Sequence, residues 1–177
     1  MEREIIEPSN LNVNPHKLFA EDWLLLCAGD FESGKFNFMT IGWGMLGTAW
    51  GKPCAMAMVR PQRHTFKFME ESEDFTICAF PKSCRRALEI CGSKSGRDCD
   101  KAKEAGLTPE KSEKAKPPGF AEAELLLECR KIYFDDMNPG GALDSHILDA
   151  IYPQRDFHRF YIGEIIFAKG ARSFSKG

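Results

Sequence analysis

Short apolar runs, each stopped by glycine, proline or a polar turn, recur along this chain and limit most strongly what it can become. Trp23–Ala28, Phe36–Ile41, Cys54–Val59, Asp74–Phe80 and Phe157–Ala168 are such runs. Continuous apolar stretches of this length, bounded by turn residues, read as buried strands. Gly29–Gly34 reads as a turn, with Asp30 inside it and glycine at both ends. None of the runs approaches the ~20 residues that cross a bilayer. Residues 1–6 hold only Ile5 and Ile6 as an apolar core, too little for a secretion signal. The expectation is a protein that is mainly β with a few short helices, away from membranes and in the cytoplasm.

Helical pattern is confined to short pieces. Residues 62–72 place Phe66, Phe68 and Met69 on one side behind Pro61, which suits a helix entry. Residues 83–91 offer Ser83 as an N-cap and Ala87, Leu88 and Cys91 as a buried side. Residues 98–105 read as a second short helix stopped by Gly106, and a further piece lies within 142–150. Ala121–Tyr133 is ambiguous. Its Ala, Glu and Leu content favours helix, whereas Glu128, Arg130 and Ile132 fit the alternation of a strand. Residues 1–20 read as an irregular lead-in. Residues 107–119 are polar and carry several lysines and two prolines. Runs of the earlier character resume after them, so they read as an excursion from one domain spanning residues 1–177.

The densest chemistry lies between Asn37 and Thr65. A strand-like run leads into a segment holding Gly42, Gly44, Gly47 and Gly51, with Trp43 and Trp50 among them. A second strand-like run follows, and the stretch closes on Arg60-Pro61-Gln62-Arg63-His64-Thr65. Glycine lets a backbone approach a ligand closely, and Trp offers a flat apolar face with one donor. Two arginines and a hydroxyl at a helix start suit a phosphate. The stretch therefore describes a pocket for a flat phosphorylated ring. The plainer alternative is a glycine-rich hairpin followed by solvated arginines. Neither the Gly-x-x-x-x-Gly-Lys nor the Gly-x-Gly-x-x-Gly nucleotide fingerprint occurs.

Charge and cysteine usage narrow the class further. A net charge of −2 argues against nucleic-acid binding by bulk charge. Residues 82–116 carry a local positive excess that suits either a dinucleotide's phosphates or a mixed solvated face. Seven cysteines, with no Cys-x-x-Cys pair and no nearby histidine at zinc spacing, read as reduced packing thiols rather than disulfides or metal ligands. No acid–base or nucleophile constellation stands out, so any redox chemistry here would belong to a cofactor.

Several separated motifs carry a resemblance. Asn37-Phe38-Met39-Thr40-Ile41-Gly42-Trp43, Lys52-Pro53, Arg60-Pro61-Gln62-Arg63-x-Thr65, residues 92–101 (GSKSGRDCDK) and Asp156-Phe157-His158 resemble the flavin reductase-like, FMN-binding split-barrel family, in its flavoredoxin branch. The resemblance implies a six-stranded antiparallel split barrel of Greek-key type, with strand rather than helix at 121–133. It implies a homodimer with FMN in a groove at the dimer interface. Met39, Thr40, Ile41, Gly42 and Trp43 would line the ring and ribityl chain, and Asn37 would fix that segment. Arg60, Arg63, Thr65 and Lys101 would hold the phosphate, with Gln62, Ser95 and Arg97 beside it. Gly42 stands where the family often has serine, which leaves only backbone contacts there. His158 would approach the flavin, an assignment for which His146 competes. The implied activity is hydride transfer from NAD(P)H to flavin, with electrons passed to a downstream flavin-dependent or redox protein. The alternatives are a flavoredoxin-type electron carrier and a non-catalytic flavin-binding or sensing module.

Overall fold

A computed structural model describes residues 2–176. Its strands are β1 (Glu4–Ile6), β2 (Leu24–Asp30), β3 (Lys35–Ile41), β4 (Gly44–Ala49), β5 (Lys52–Val59), β6 (Asp74–Ala79), β7 (Pro109–Glu110), β8 (Gly119–Phe120), β9 (Leu125–Asp136) and β10 (Arg159–Gly170). Its α-helices are α1 (His64–Glu71), α2 (Arg85–Ser93), α3 (Lys101–Ala105) and α4 (Ser145–Ile151). The large sheet runs β3-β2-β6-β9-β10-β5-β4, every neighbour antiparallel, and β1 pairs with β10. The last strand, β10, inserts between β9 and the early β5, which is the long return of a Greek key. Six strands from β3 to β5 carry this order, and β4 and β1 add to it.

Burial explains the sequence pattern. Leu24, Leu26 and Ala28 face an inner core with Met39, Ile41, Ala57, Val59, Phe75, Ile77 and Tyr161. Leu25 and Cys27, on the opposite face of β2, pack with Phe38, Cys78, Phe120 and the Ala87, Leu88 and Cys91 side of α2. A strand covered on both faces needs no polar alternation, hence the unbroken apolar run. The 107–119 excursion covers the outer face and is pinned by Glu128. That fully buried carboxylate accepts from the backbone N–H groups of Glu113, Lys114 and Ala115 at 2.8, 2.7 and 2.7 Å. The seven cysteines are free, five of them buried; burial pushes the thiols of Cys27, Cys78 and Cys129 up. Among the described residues no helix is long and apolar enough to cross a membrane.

Several local expectations are corrected. The glycine- and tryptophan-holding segment between β3 and β5 contains a further strand, β4, joined to β5 by a tight turn at Trp50-Gly51, both at positive φ. Among its glycines, Gly44 answers to packing. A Cβ at Gly44 would lie 2.4 Å from a Phe19 ring carbon and 2.5 Å from the Met56 carbonyl oxygen. The lead-in holds β1 and a π-helical turn at Lys17–Asp22, whose Leu18 and Phe19 are buried. Ser83 caps nothing; it sits in a 3-10 turn (Lys82–Cys84) ahead of α2, whose start has no side-chain cap. Helix α3 begins later than expected, because the Asp100 carboxylate accepts from the Lys103 N–H at 3.1 Å and sets its start; Gly106 closes it at φ 65°. Within 121–133 the strand starts only at Leu125, after a turn at 121–124; β9 then runs on to Asp136, paired with β6 and β10.

Candidate functional site

Two adjoining cavities open where the C-terminal end of β3 meets the end of β5 and the start of α1. One, of about 220 Å³, is lined by Met39, Thr40, Ile41, Gly42, Trp43, Met58, Arg60, Arg63 and His158. The other, of about 190 Å³, is lined by Asn37, Met39, Gln62, Arg63, His64, Thr65, Lys101 and the 92–97 loop with Ser95 and Arg97. Met39 and Arg63 belong to both, so the cavities form one groove with an apolar end and a cationic end.

The cationic end is built on α1. Arg63 is the residue before its first turn, so Arg63, His64 and Thr65 surround the helix start. The Arg63 guanidinium donates to the Gly92 carbonyl at 2.9 Å. Lys101, 4 % exposed, donates its ammonium to the Phe38 carbonyl and lies 4.8 Å from the Phe38 ring centroid. Both cations therefore bond to neutral oxygens. Burial pulls the Lys101 ammonium below its usual range, with Arg63 adding to the effect, and burial together with Arg60 lowers Arg63. Two partly desolvated cations without a carboxylate partner are costly unless an anion joins them. His64 adds to this end. Its Nδ1 is buried without a partner, and burial, then Arg97, Lys67 and Lys101, hold its ring below the usual imidazole range.

The 92–97 loop closes this end by direct contact with β3. A Cβ at Gly96 would fall 2.2 Å from the Asn37 Oδ1, so only glycine admits this approach. Asn37 is buried and donates Nδ2–H to the Thr65 Oγ1 at 2.8 Å. The Ser95 hydroxyl accepts from the Arg97 N–H at 3.2 Å, and the Arg97 side chain is exposed beside it.

At the apolar end the groups are differently committed. The Thr40 hydroxyl donates to the Leu88 carbonyl at 2.5 Å, so that donor is spent on the protein itself. Arg60 forms an ion pair with Asp156 at 2.5 Å, donates to the Ile151 carbonyl at 3.0 Å and lies 5.0 Å from the Tyr152 ring centroid. Gln62 donates to the same Asp156 oxygen. Arg60 thus has a carboxylate partner where, among the described residues, Arg63 and Lys101 have none, and it lines the cavity away from Lys101. His158 is buried, its Nδ1 2.7 Å from the Tyr152 hydroxyl and its ring 5.2 Å from Trp43. Burial, with Arg60 adding to it, lowers the His158 imidazole to about 4. His146 lies exposed on α4 and lines neither cavity.

The groove gathers every residue that the resemblance assigned to the cofactor, although Arg60, Gln62 and Thr40 spend side-chain donors on the protein itself; His146, Gly44, Gly47, Trp50 and Gly51 line neither cavity. Met58, His64 and Lys94 also line it without having been assigned a role, and Tyr152 and Asp156 stand behind it, against His158 and Arg60. The alternation of β5 and the position of His64 between Arg63 and Thr65 could have pointed to the first two. Nothing in the sequence links Tyr152 or Asp156 to Arg60.

The model of the family described as "Flavin reductase like domain" matches residues 18–168. No curated protein sequence matches the chain. Solved structures share the fold. One is an FMN-binding domain of a flavin reductases-like enzyme from Shewanella baltica OS155, at TM-score 0.69 and 19% identity over 96% of this chain and 77% of that one. The flavoredoxin of Desulfovibrio vulgaris (Miyazaki F) aligns at TM-score 0.65 and 22% identity, over 85% and 70%. A Shewanella frigidimarina NCIMB 400 protein described as having a split barrel domain aligns at TM-score 0.67 and 18% identity, over 89% and 73%. The antiparallel Greek-key sheet is accordingly a split barrel.

Proposed function

The chain belongs to the flavin reductase-like domain family, and from that membership we propose that its groove binds FMN and that the protein is a flavin reductase using NAD(P)H. The observation that carries this reading is the pair of half-buried Arg63 and buried Lys101, each bonded among the described residues only to a carbonyl, at the cationic end of the groove. A phosphate monoester supplies the missing anion. Thr65 and the first N–H groups of α1 add donors to it. Met39, Ile41 and Trp43 give the ring an apolar wall, and the backbone of Thr40 and Gly42 offers polar atoms along it. FMN, when bound, supplies the hydride-accepting chemistry; the protein's own residues hold the phosphate, orient the ring and exclude water. A homodimer completes the groove in this reading. Trp43, 45 % exposed on the cavity wall, and Met45, Trp50 and Tyr133 form an apolar surface suited to a second copy. The free thiols fit a reducing cytoplasm.

A flavoredoxin-type carrier, reduced by a partner protein, is the second reading, favoured by the exposure of Trp43 at the apolar end. The deciding experiment is the visible spectrum of freshly purified protein, followed by anaerobic NADH or NADPH. Flavin bands that bleach support the reductase and bands that persist support the carrier. A colourless protein that takes up no added FMN overturns both.

A further inference from the structure

The Tyr152–His158 pair has a hydrogen-bond direction that the surrounding structure decides. Tyr152 is 3 % exposed, and its hydroxyl makes one hydrogen bond among the described residues, to His158 Nδ1 at 2.7 Å. If Nδ1–H were the donor, the hydroxyl hydrogen would be left buried without an acceptor, at a cost comparable to a lost hydrogen bond. The hydroxyl therefore donates to Nδ1, and the neutral ring keeps its proton on Nε2. His158 lines the apolar end of the groove, and Nε2 has no partner among the described residues.

The segment carrying Tyr152 is itself clamped. Arg60 bonds to Ile151 at one end and Asp156 at the other, and its guanidinium lies against the Tyr152 ring between them. Trp43 closes the other side of the imidazole. The charged and titratable groups around the ring are Arg60, Asp156 and Tyr152. The hydroxyl of Tyr152 is kept protonated by burial, and Arg60 discourages a second positive charge on His158.

We propose that Tyr152, clamped by Arg60, is a positioning residue that locks His158 in the Nε2–H tautomer, making it a neutral donor into the groove for an amide-type carbonyl oxygen. Two acceptors share that chemistry: a ring carbonyl of bound flavin and the carboxamide of the nicotinamide. The proposal rests on the cofactor reading for its acceptor, but the tautomer does not depend on a ligand.

The test is long-range proton–nitrogen NMR on protein labelled with ¹⁵N-histidine, at pH 7. The ligand-free protein is expected to show His158 neutral and protonated at Nε2. Protonation at Nδ1, or a charged ring, overturns the proposal whatever the protein binds. Failure to bind FMN, with the Nε2–H tautomer present, removes the cofactor reading and leaves the tautomer standing. An Nε2 shift on adding FMN assigns the flavin carbonyl; a shift only on then adding NAD⁺ assigns the carboxamide; no shift with FMN bound and NAD⁺ saturating overturns the donor role. Tyr152→Phe, compared with wild type at equal FMN occupancy, is expected to mix the tautomers and to weaken binding of the assigned ligand by about tenfold, the scale of one hydrogen bond. In a His158→Gln background the same change is expected to have no further effect. Additive losses would mean that Tyr152 acts on the fold and not through His158.

Discussion

Asn37 donates its side-chain N–H to the Thr65 hydroxyl at 2.8 Å across 28 residues of sequence, and both side chains are buried. The bond joins β3 to the first turn of α1. It also orients Thr65: an oxygen that accepts from Asn37 turns its own hydrogen elsewhere, and the cationic cavity lies there. Asn37→Ala should remove this orientation and leave the 92–97 loop without its contact. We expect a stability loss of ~1–2 kcal/mol in thermal unfolding and weaker FMN binding. Unchanged FMN affinity in a destabilised Asn37→Ala would restrict the bond to a structural role.

Arg63 and Arg60 look alike in sequence and differ in partners. Arg63→Ala should weaken FMN binding by ~1–3 kcal/mol, the range for charge-assisted hydrogen bonds, with little effect on riboflavin. Arg60→Ala breaks the Asp156 pair and loosens the 151–156 segment, so both flavins should suffer equally. Paired titrations of FMN and riboflavin distinguish the two, and a phosphate-selective loss in Arg60→Ala would reverse this assignment.

Lys101 offers a trade between stability and binding. Its buried ammonium has only a carbonyl partner, and an unpaired buried charge is costly. Lys101→Met keeps the apolar stem and removes the charge. The ligand-free protein should melt at the same or a higher temperature, while FMN affinity falls. A clear drop in melting temperature without ligand would show that the ammonium is needed by the fold.

His158 should make stability depend on acidity. Its folded value of about 4 lies below the ordinary imidazole value of about 6.5, so the unfolded chain binds the proton first. Stability is complete above about pH 6.5, falls as pH drops toward 4 and then levels, with a ceiling of about 3 kcal/mol. His158→Gln should flatten that part of the melting-temperature profile. An unchanged slope would assign the acid sensitivity to other groups.

Gly96→Ala tests the closing loop. The added methyl would meet Asn37 Oδ1 at 2.2 Å, and neither the buried Asn37 nor its Thr65 bond can yield cheaply. We expect ~1–3 kcal/mol of destabilisation or loop displacement, with FMN affinity reduced in either case. Unaltered melting and binding would show that the loop moves aside freely.

The sequence by itself determined the class of the fold and, through a family resemblance, many of the residues that line the groove. Continuous apolar runs such as Trp23–Ala28 and the punctuated 37–65 stretch make a strand-rich chain, because burial on both faces removes the need for alternation. Arg63 and Thr65 could be singled out because an arginine and a hydroxyl at a helix start form a local chemical pattern, whereas Lys101, far away in sequence, was reached only through the family resemblance. Only the tertiary structure decided how each group is used. It made Gly44 a packing residue against Phe19 and made the glycine- and tryptophan-holding segment strand β4. It paired Arg60 with Asp156 and left Arg63 facing carbonyls. It brought the Tyr152 hydroxyl to His158. Residue types set what a side chain can donate or accept, but partners 91 or 96 residues away, such as Ile151 and Asp156 for Arg60, are chosen by strand order and burial, and these exist only once the sheet has formed.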